Sequence, residues 1–155
     1  MNKKIFSILF LISLFTSVIF AQELTGAFGV PFGTSRTEVV KSAKKAGWNL
    51  ASSEGKTDVF TTKNTKLGKL NINSVNFQYD NFDKFILAAV TFDNVYTNSK
   101  LNEIIRTVES MYTITDKNNL PRNGAVYWTI GYSGNIIMLA YDLKKGNAGL
   151  LFMKN

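Results

Sequence analysis

The chain predicts an α+β fold: a duplicated αβββ unit whose strands form an antiparallel sheet, with helices packed on one face. Three observations lead there. A complete helix signal spans Ser35 to Trp48, and a second, more periodic one spans Thr97 to Tyr112. Each is followed by three stretches of strand character. Glu38 and Leu101 stand 63 positions apart, and Val59 and Val126 stand 67 apart, which is the spacing of an internal repeat. No linker-like stretch separates the halves. One domain of two pseudo-repeats, about 29–95 and 96–155, is therefore expected. A small closed barrel or sandwich capped by the second helix is the competing arrangement, though six strands are few for it.

Residues 1–21 read as a leader rather than as part of that fold. Lys3 and Lys4 supply a positive start, Ile5 to Phe20 is apolar apart from four hydroxyl residues, and Ala21 ends the stretch. This is the pattern of a secretory signal peptide cleaved before Gln22. The apolar run is short for a membrane span of about 20 residues and lacks a stop-transfer flank. The mature chain, 22–155, would then be exported to the periplasm, cell surface or beyond.

The first helix has written-out ends. Ser35-Arg-Thr-Glu38 has the form of a capping box, in which serine and glutamate satisfy one another's backbone N–H groups. Val39, Val40, Ala43 and Ala46 make a narrow apolar stripe, and Lys41, Lys44 and Lys45 occupy the other side. Gly47 followed by Trp48 fits a Schellman stop.

Strands are expected at Asp58–Thr62, Leu70–Tyr79 and Phe85–Phe92, with a hairpin loop at Asp80–Asp83. Leu70 and Ile72 alternate in one phase, and Val75, Phe77 and Tyr79 in the other. A bulge near Asn73-Ser74 would reconcile them. In the second helix Leu101, Ile104, Ile105, Val108, Met111 and Tyr112 recur at helical spacing, after a Thr97 or Asn98 cap. A loop over Asn118–Gly124 precedes strands at Ala125–Tyr132, Ile136–Asp142 and Leu150–Met153.

The run Gly29-Val-Pro-Phe-Gly-Thr-Ser-Arg-Thr-Glu-Val-Val40, followed by a helix and meander, resembles the start of secreted modules with the beta-lactamase inhibitor protein (BLIP)-like or BamE-like fold. The layout of Gly29 to Met153 shares the resemblance. It implies helical segments packed on an antiparallel sheet, and no inhibitory loop residues of those modules find a match here. The chain departs from both groups in having no cysteine, so neither the lipidated cysteine of one nor the disulfides of the other is present.

Composition excludes more chemistry than it suggests. With no His and no Cys, the chain has no Ser-His-Asp triad, no thiolate nucleophile and no conventional zinc site. Ser42-Ala-Lys-Lys45 matches S-x-x-K, but the partner motifs of penicillin-recognising enzymes do not occur, and a polar helix face explains the match. Asp80, Asp83 and Asp93 offer too few oxygens for calcium and read as turn residues. They are also the carboxylates a small hydrolase would have to use. No cofactor or metal is expected. The net charge of +7 falls to +5 without the leader lysines, and the bases are scattered, so a nucleic-acid site is not expected.

Aromatic residues are the positive feature. Phe77, Tyr79, Tyr127, Trp128, Tyr132 and Tyr141 all fall in or at the ends of expected strands. Adjacent strand residues point to opposite faces, so some of these rings should lie on the helix-free side. The expectation is a non-enzymatic binding module of the bacterial envelope, engaging a protein or envelope polymer through that ring-bearing face. A self-associating structural protein and a carboxylate-dependent hydrolase are the alternatives.

Overall fold

The apolar alternations of the chain find one another in a single sheet. A computed structural model describes residues 22–120 and 124–155. The expected leader and its cleavage point, apart from Gln22, lie outside the described residues. An N-terminal hairpin of β1 (Gly26–Ala27) and β2 (Val30–Pro31) leads into helix α1 (Arg36–Lys45). Strands β3 (Asn49–Glu54), β4 (Thr57–Leu67), β5 (Leu70–Tyr79) and β6 (Phe85–Asp93) follow. Helix α2 (Asn98–Met111) then leads to β7 (Ile114–Leu120), β8 (Ala125–Ile130), β9 (Asn135–Asp142) and β10 (Asn147–Met153).

The α+β expectation of two αβββ units is corrected here. The described residues are mostly β, 55% strand against 18% helix, and their main feature is one large antiparallel sheet rather than a helix-packed arrangement. Its order is β3-β4-β5-β6-β10-β9-β8-β7. Four strands, not three, follow each helix. The additional ones, β3 and β7, are the two edges of the sheet. Both are polar, and β3 has exposed or half-exposed side chains along its whole length, so neither shows the alternation that marks a half-buried strand. Charged and polar edges of this kind also discourage edge-to-edge pairing. Asn118 to Leu120, expected in a loop, belong to β7.

The two chain halves meet where β6 pairs with β10, from Asp93 opposite Asn147 to Leu87 opposite Met153. One face of the sheet is covered. Phe60, Phe77, Phe85, Trp128, Leu139, Leu150 and Phe152 point to that side and are fully or almost fully buried. They share one core with Val39 and Ala43 of α1, with Leu101, Ile104 and Val108 of α2, and with Leu24 and Val30 of the N-terminal segment. Rings link the layers: Phe28 meets Trp48 at 6.0 Å and Phe152 at 5.5 Å, and Phe32 meets Phe85 at 5.0 Å.

Helix α1 ends as its sequence implies. Gly47 takes φ +79, the Gly47 N–H donates to Lys44 O, and the Trp48 N–H donates to Ala43 O, both at 3.0 Å. These are the two bonds of a Schellman motif. The start differs from expectation. Ser35 has extended backbone but makes no side-chain cap bond, so the capping box does not form. The loop between β5 and β6 takes over: the Arg36 N–H donates to Asp83 O at 2.9 Å, and Ser35 bridges Lys84. Glu38 instead lies 3.7 Å from Lys41 on the exposed side of the helix. In α2 the Thr97 hydroxyl does cap, accepting from the Lys100 N–H at 3.3 Å.

The phase change in β5 has its counterpart on β4. Thr61 faces Ser74 and Thr65 faces Ile72, with a register shift between them. Asn64, inside the shift, takes φ +59. The irregularity lets Ile72 and Val75 both turn toward the core.

Candidate functional site

The sheet separates the six candidate rings. Phe77, Tyr79 and Trp128 point to the covered side and are 0%, 3% and 0% exposed, so they are core residues and cannot touch a partner. Phe77 packs edge-on against Phe60 and Phe85. Trp128 Nε1 donates to Glu109 Oε1 of α2 at 3.3 Å, and Glu109 also pairs with Lys117 at 2.5 Å. Tyr141 is half-buried against the core. Tyr132 is fully exposed at the β8–β9 turn. Of the six, Tyr127 alone stands within a strand on the open side, half-exposed.

Tyr127 has company there that its sequence neighbourhood did not announce. Across the sheet, Tyr127 faces Met138, Met138 faces Leu151, and Leu151 faces Ala89. One step along, Ile136 faces Met153, which faces Leu87. All of these residues are half-exposed, and all point away from α1, α2 and the N-terminal hairpin. The open side of β6, β10, β9 and β8 is thus an apolar belt. Thr129 on one flank and Asn76 and Gln78 on the other continue it as uncharged polar surface. The signal for it was the unbroken apolar runs Ile136–Ala140 and Leu150–Met153. A strand with apolar residues on consecutive positions has two apolar faces, and a core covers only one of them here.

The strongest polar constellation lies on the covered side. Arg36 holds Asp58 with two bonds, Nη2 to Oδ1 at 2.6 Å and Nε to Oδ2 at 3.1 Å. It also donates to Gly55 O at 2.9 Å and to the Ser53 hydroxyl at 2.8 Å. Ser53 in turn donates to Asp58 at 2.7 Å. The guanidinium sits 5.2 Å from the Tyr79 ring centre. Burial pushes the Asp58 carboxyl up, but bonds from Arg36 and Ser53, the nearby Tyr79 and the Arg36 charge outweigh it and hold the group below its usual range. Burial, followed by the Asp58 charge, pushes the Tyr79 hydroxyl well above its usual range. This arrangement ties α1 to β3, β4 and β5. Every carboxylate oxygen is occupied by a protein donor, so none is poised as a base or nucleophile.

Of the three aspartates singled out in the sequence, Asp80 and Asp83 do structural work at the β5–β6 turn. Asp80 Oδ1 accepts from the Phe82 and Lys84 N–H groups at 2.8 and 2.9 Å, and these backbone bonds, Lys84 first, lower its pKa. Asp83 pairs with Lys56 at 2.9 Å. Asp93 ends β6 on the open side. Among the described residues no group of three or more His, Cys, Asp or Glu is placed to hold a metal ion. Ser42 and Lys45 are both exposed on α1.

Compared with known proteins, the chain matches no family model, no curated protein and no solved structure. No helix among the described residues is long and apolar enough to cross a membrane.

Proposed function

We propose that the chain is an exported, non-enzymatic binding module of the bacterial envelope, and that its open sheet face docks a protein partner. The observation that carries this is the apolar belt of Leu87, Ala89, Tyr127, Ile136, Met138, Leu151 and Met153, half-exposed on the side of the sheet that the helices leave bare. Surface of that kind is costly to leave in water and marks interaction sites when it is contiguous. A belt that crosses four strands suits a partner's sheet or helix face better than a small molecule. The surplus of lysines over acids favours a partner whose rim is acidic. The leader pattern of residues 1–21 supports export.

The test places a photo-crosslinking amino acid at Met138 and, as a control, at Lys41 on the exposed side of α1. A discrete protein adduct in native envelopes from position 138 and none from position 41 is the expected result. Identical adducts from both positions, or none, would end the reading. The same face is uncharged at its centre, so two copies could also stack through it. An adduct at twice the mass of the chain, with a dimer in light scattering at micromolar concentration, would assign the face to self-association.

A further inference from the structure

Of the eleven glycines in the chain, nine take positive φ, and at Gly26 a Cβ would run into the Val30 carbonyl. Gly149 has neither reason. It lies inside β10, a central strand, and its register to β6 and β9 is unbroken. A Cβ built there meets nothing closer than Val90 O at 3.9 Å. Glycine weakens a strand interior, and away from a bulge or bend it marks a place where another molecule approaches the backbone closely. A hollow of about 490 Å³ lies over it, lined by Thr91, Asp93, Ala140, Asp142, Asn147 and Gly149 among others.

These six residues share the outward phase of the apolar belt. Gly149 faces Thr91 and Ala140, and two residues along, Asn147 faces Asp93 and Asp142. The open face thus passes from Leu151 and Met138, through Gly149 and Ala140, to a pair of acids. No basic residue lines the hollow, against the surplus of bases in the whole chain. The two acids differ in availability. Asp142 Oδ1 accepts the Lys144 and Lys145 N–H groups at 3.0 and 3.2 Å, and Lys145 Nζ stands 3.8 Å from Oδ2. Asp93 has, among the described residues, no ion pair.

We infer that the hollow seats a lysine or arginine side chain of the partner docked on the open face, with its stem over Gly149 and its cation at Asp93. This rests on the docking reading and names the partner's contact at one end of the belt. Two residues along a strand span about 7 Å. The methylene stem of a lysine or arginine covers that span, lying on uncharged surface while its charged head stays in water.

n-Butylguanidinium, its uncharged isostere n-butylurea and pentanoate reproduce such a stem with a cation, no charge and an anion. The amide chemical shifts of Gly149 and Ala140 report each titration of the folded chain. n-Butylguanidinium should bind saturably and tighter than n-butylurea, and pentanoate should not bind. An exposed ion pair is worth up to about 1 kcal/mol, so Asp93→Asn should weaken n-butylguanidinium by up to about fivefold and leave n-butylurea unchanged. Glu54→Gln on the edge strand β3 is the control and should change neither. Gly149→Val places a strand-forming side chain in the open space. It should keep the fold, abolish binding of both butyl ligands and cut the adduct from position 138 by at least about tenfold. Absence of saturable n-butylguanidinium binding, equal losses of both ligands in Asp93→Asn, or an undiminished adduct in a folded Gly149→Val overturns the assignment while the docking reading stands. No adduct from the parent chain ends both, since no docked partner then supplies the side chain.

Discussion

Arg36 on α1 grips Asp58 on β4 with two hydrogen bonds, and the two ends of that grip differ in exposure: the Arg36 side chain is 25% exposed and the Asp58 side chain 1%. Removing either partner strands the other, but not at equal cost. A stranded buried carboxylate has no water to turn to, whereas a stranded arginine at the surface does. Arg36→Ala should therefore destabilise the fold by about 3 kcal/mol and Asp58→Ala by about 1–2 kcal/mol, with the double variant costing less than the sum. Urea denaturation of the three variants gives the comparison. Equal costs, or simple additivity, would show that the pair is not coupled as described.

The same pair sets a pH dependence. The Asp58 carboxyl titrates below its usual range in the folded chain because the bonds from Arg36 and Ser53 outweigh its burial. A depressed folded value means that the contribution is complete above the unfolded value, about 3.9, and is lost as pH falls through the folded one. Stability should hold between about pH 5 and 7 and decline below about pH 4. Asp80, also lowered, adds to the decline in the same direction. Asp58→Asn should flatten the acid limb without abolishing it. An unchanged acid limb in that variant would locate the titration elsewhere.

Tyr79 presents the opposite situation. Its hydroxyl is buried beside the Asp58 carboxylate, yet it makes no hydrogen bond of good geometry. A buried donor without a partner costs more than it returns. Tyr79→Phe keeps the ring beneath Arg36 and deletes only that oxygen. Stability should stay within about 0.5 kcal/mol of the parent or rise. A loss above about 1.5 kcal/mol would reveal a bond to Asp58 worth keeping.

How much of this was legible depended on where each residue sits. Leu70–Tyr79 was readable to its ends because β5 is half-buried and alternates, and α2 was readable because Leu101, Ile104 and Val108 repeat at helical spacing. β3 and β7 were not, because an edge strand wetted on both sides carries no hydrophobic period. Tyr127 and Trp128 were placed correctly on opposite faces, since that follows from strand geometry alone. Which face the helices would cover does not follow from it, so three core rings were grouped with the surface. The Arg36–Asp58 pair spans 22 positions, and its only local trace was a lone acid in the buried phase of Asp58, Phe60 and Thr62. The failed capping box has a similar origin: the start of α1 is held through the Arg36 N–H by Asp83 O, a residue distant in sequence that the β5–β6 hairpin brings alongside.

The open face makes the most demanding prediction. Met138 stands between Tyr127 on β8 and Leu151 on β10. It is half-exposed, so a charged side chain placed there can reach water. Met138→Glu and Leu151→Lys should therefore cost the isolated fold no more than about 1–1.5 kcal/mol, far less than a charge in the core. The same changes at the centre of a docking surface would bury a charge against the partner and weaken capture by at least about tenfold. The two changes carry opposite signs, so a loss common to both reflects desolvation rather than a specific charge match. Denaturation curves and binding to the crosslinked partner, measured on the same preparations, separate stability from recognition. Variants that unfold would show that the belt is covered in the native chain, and variants that bind normally would move the docking surface elsewhere.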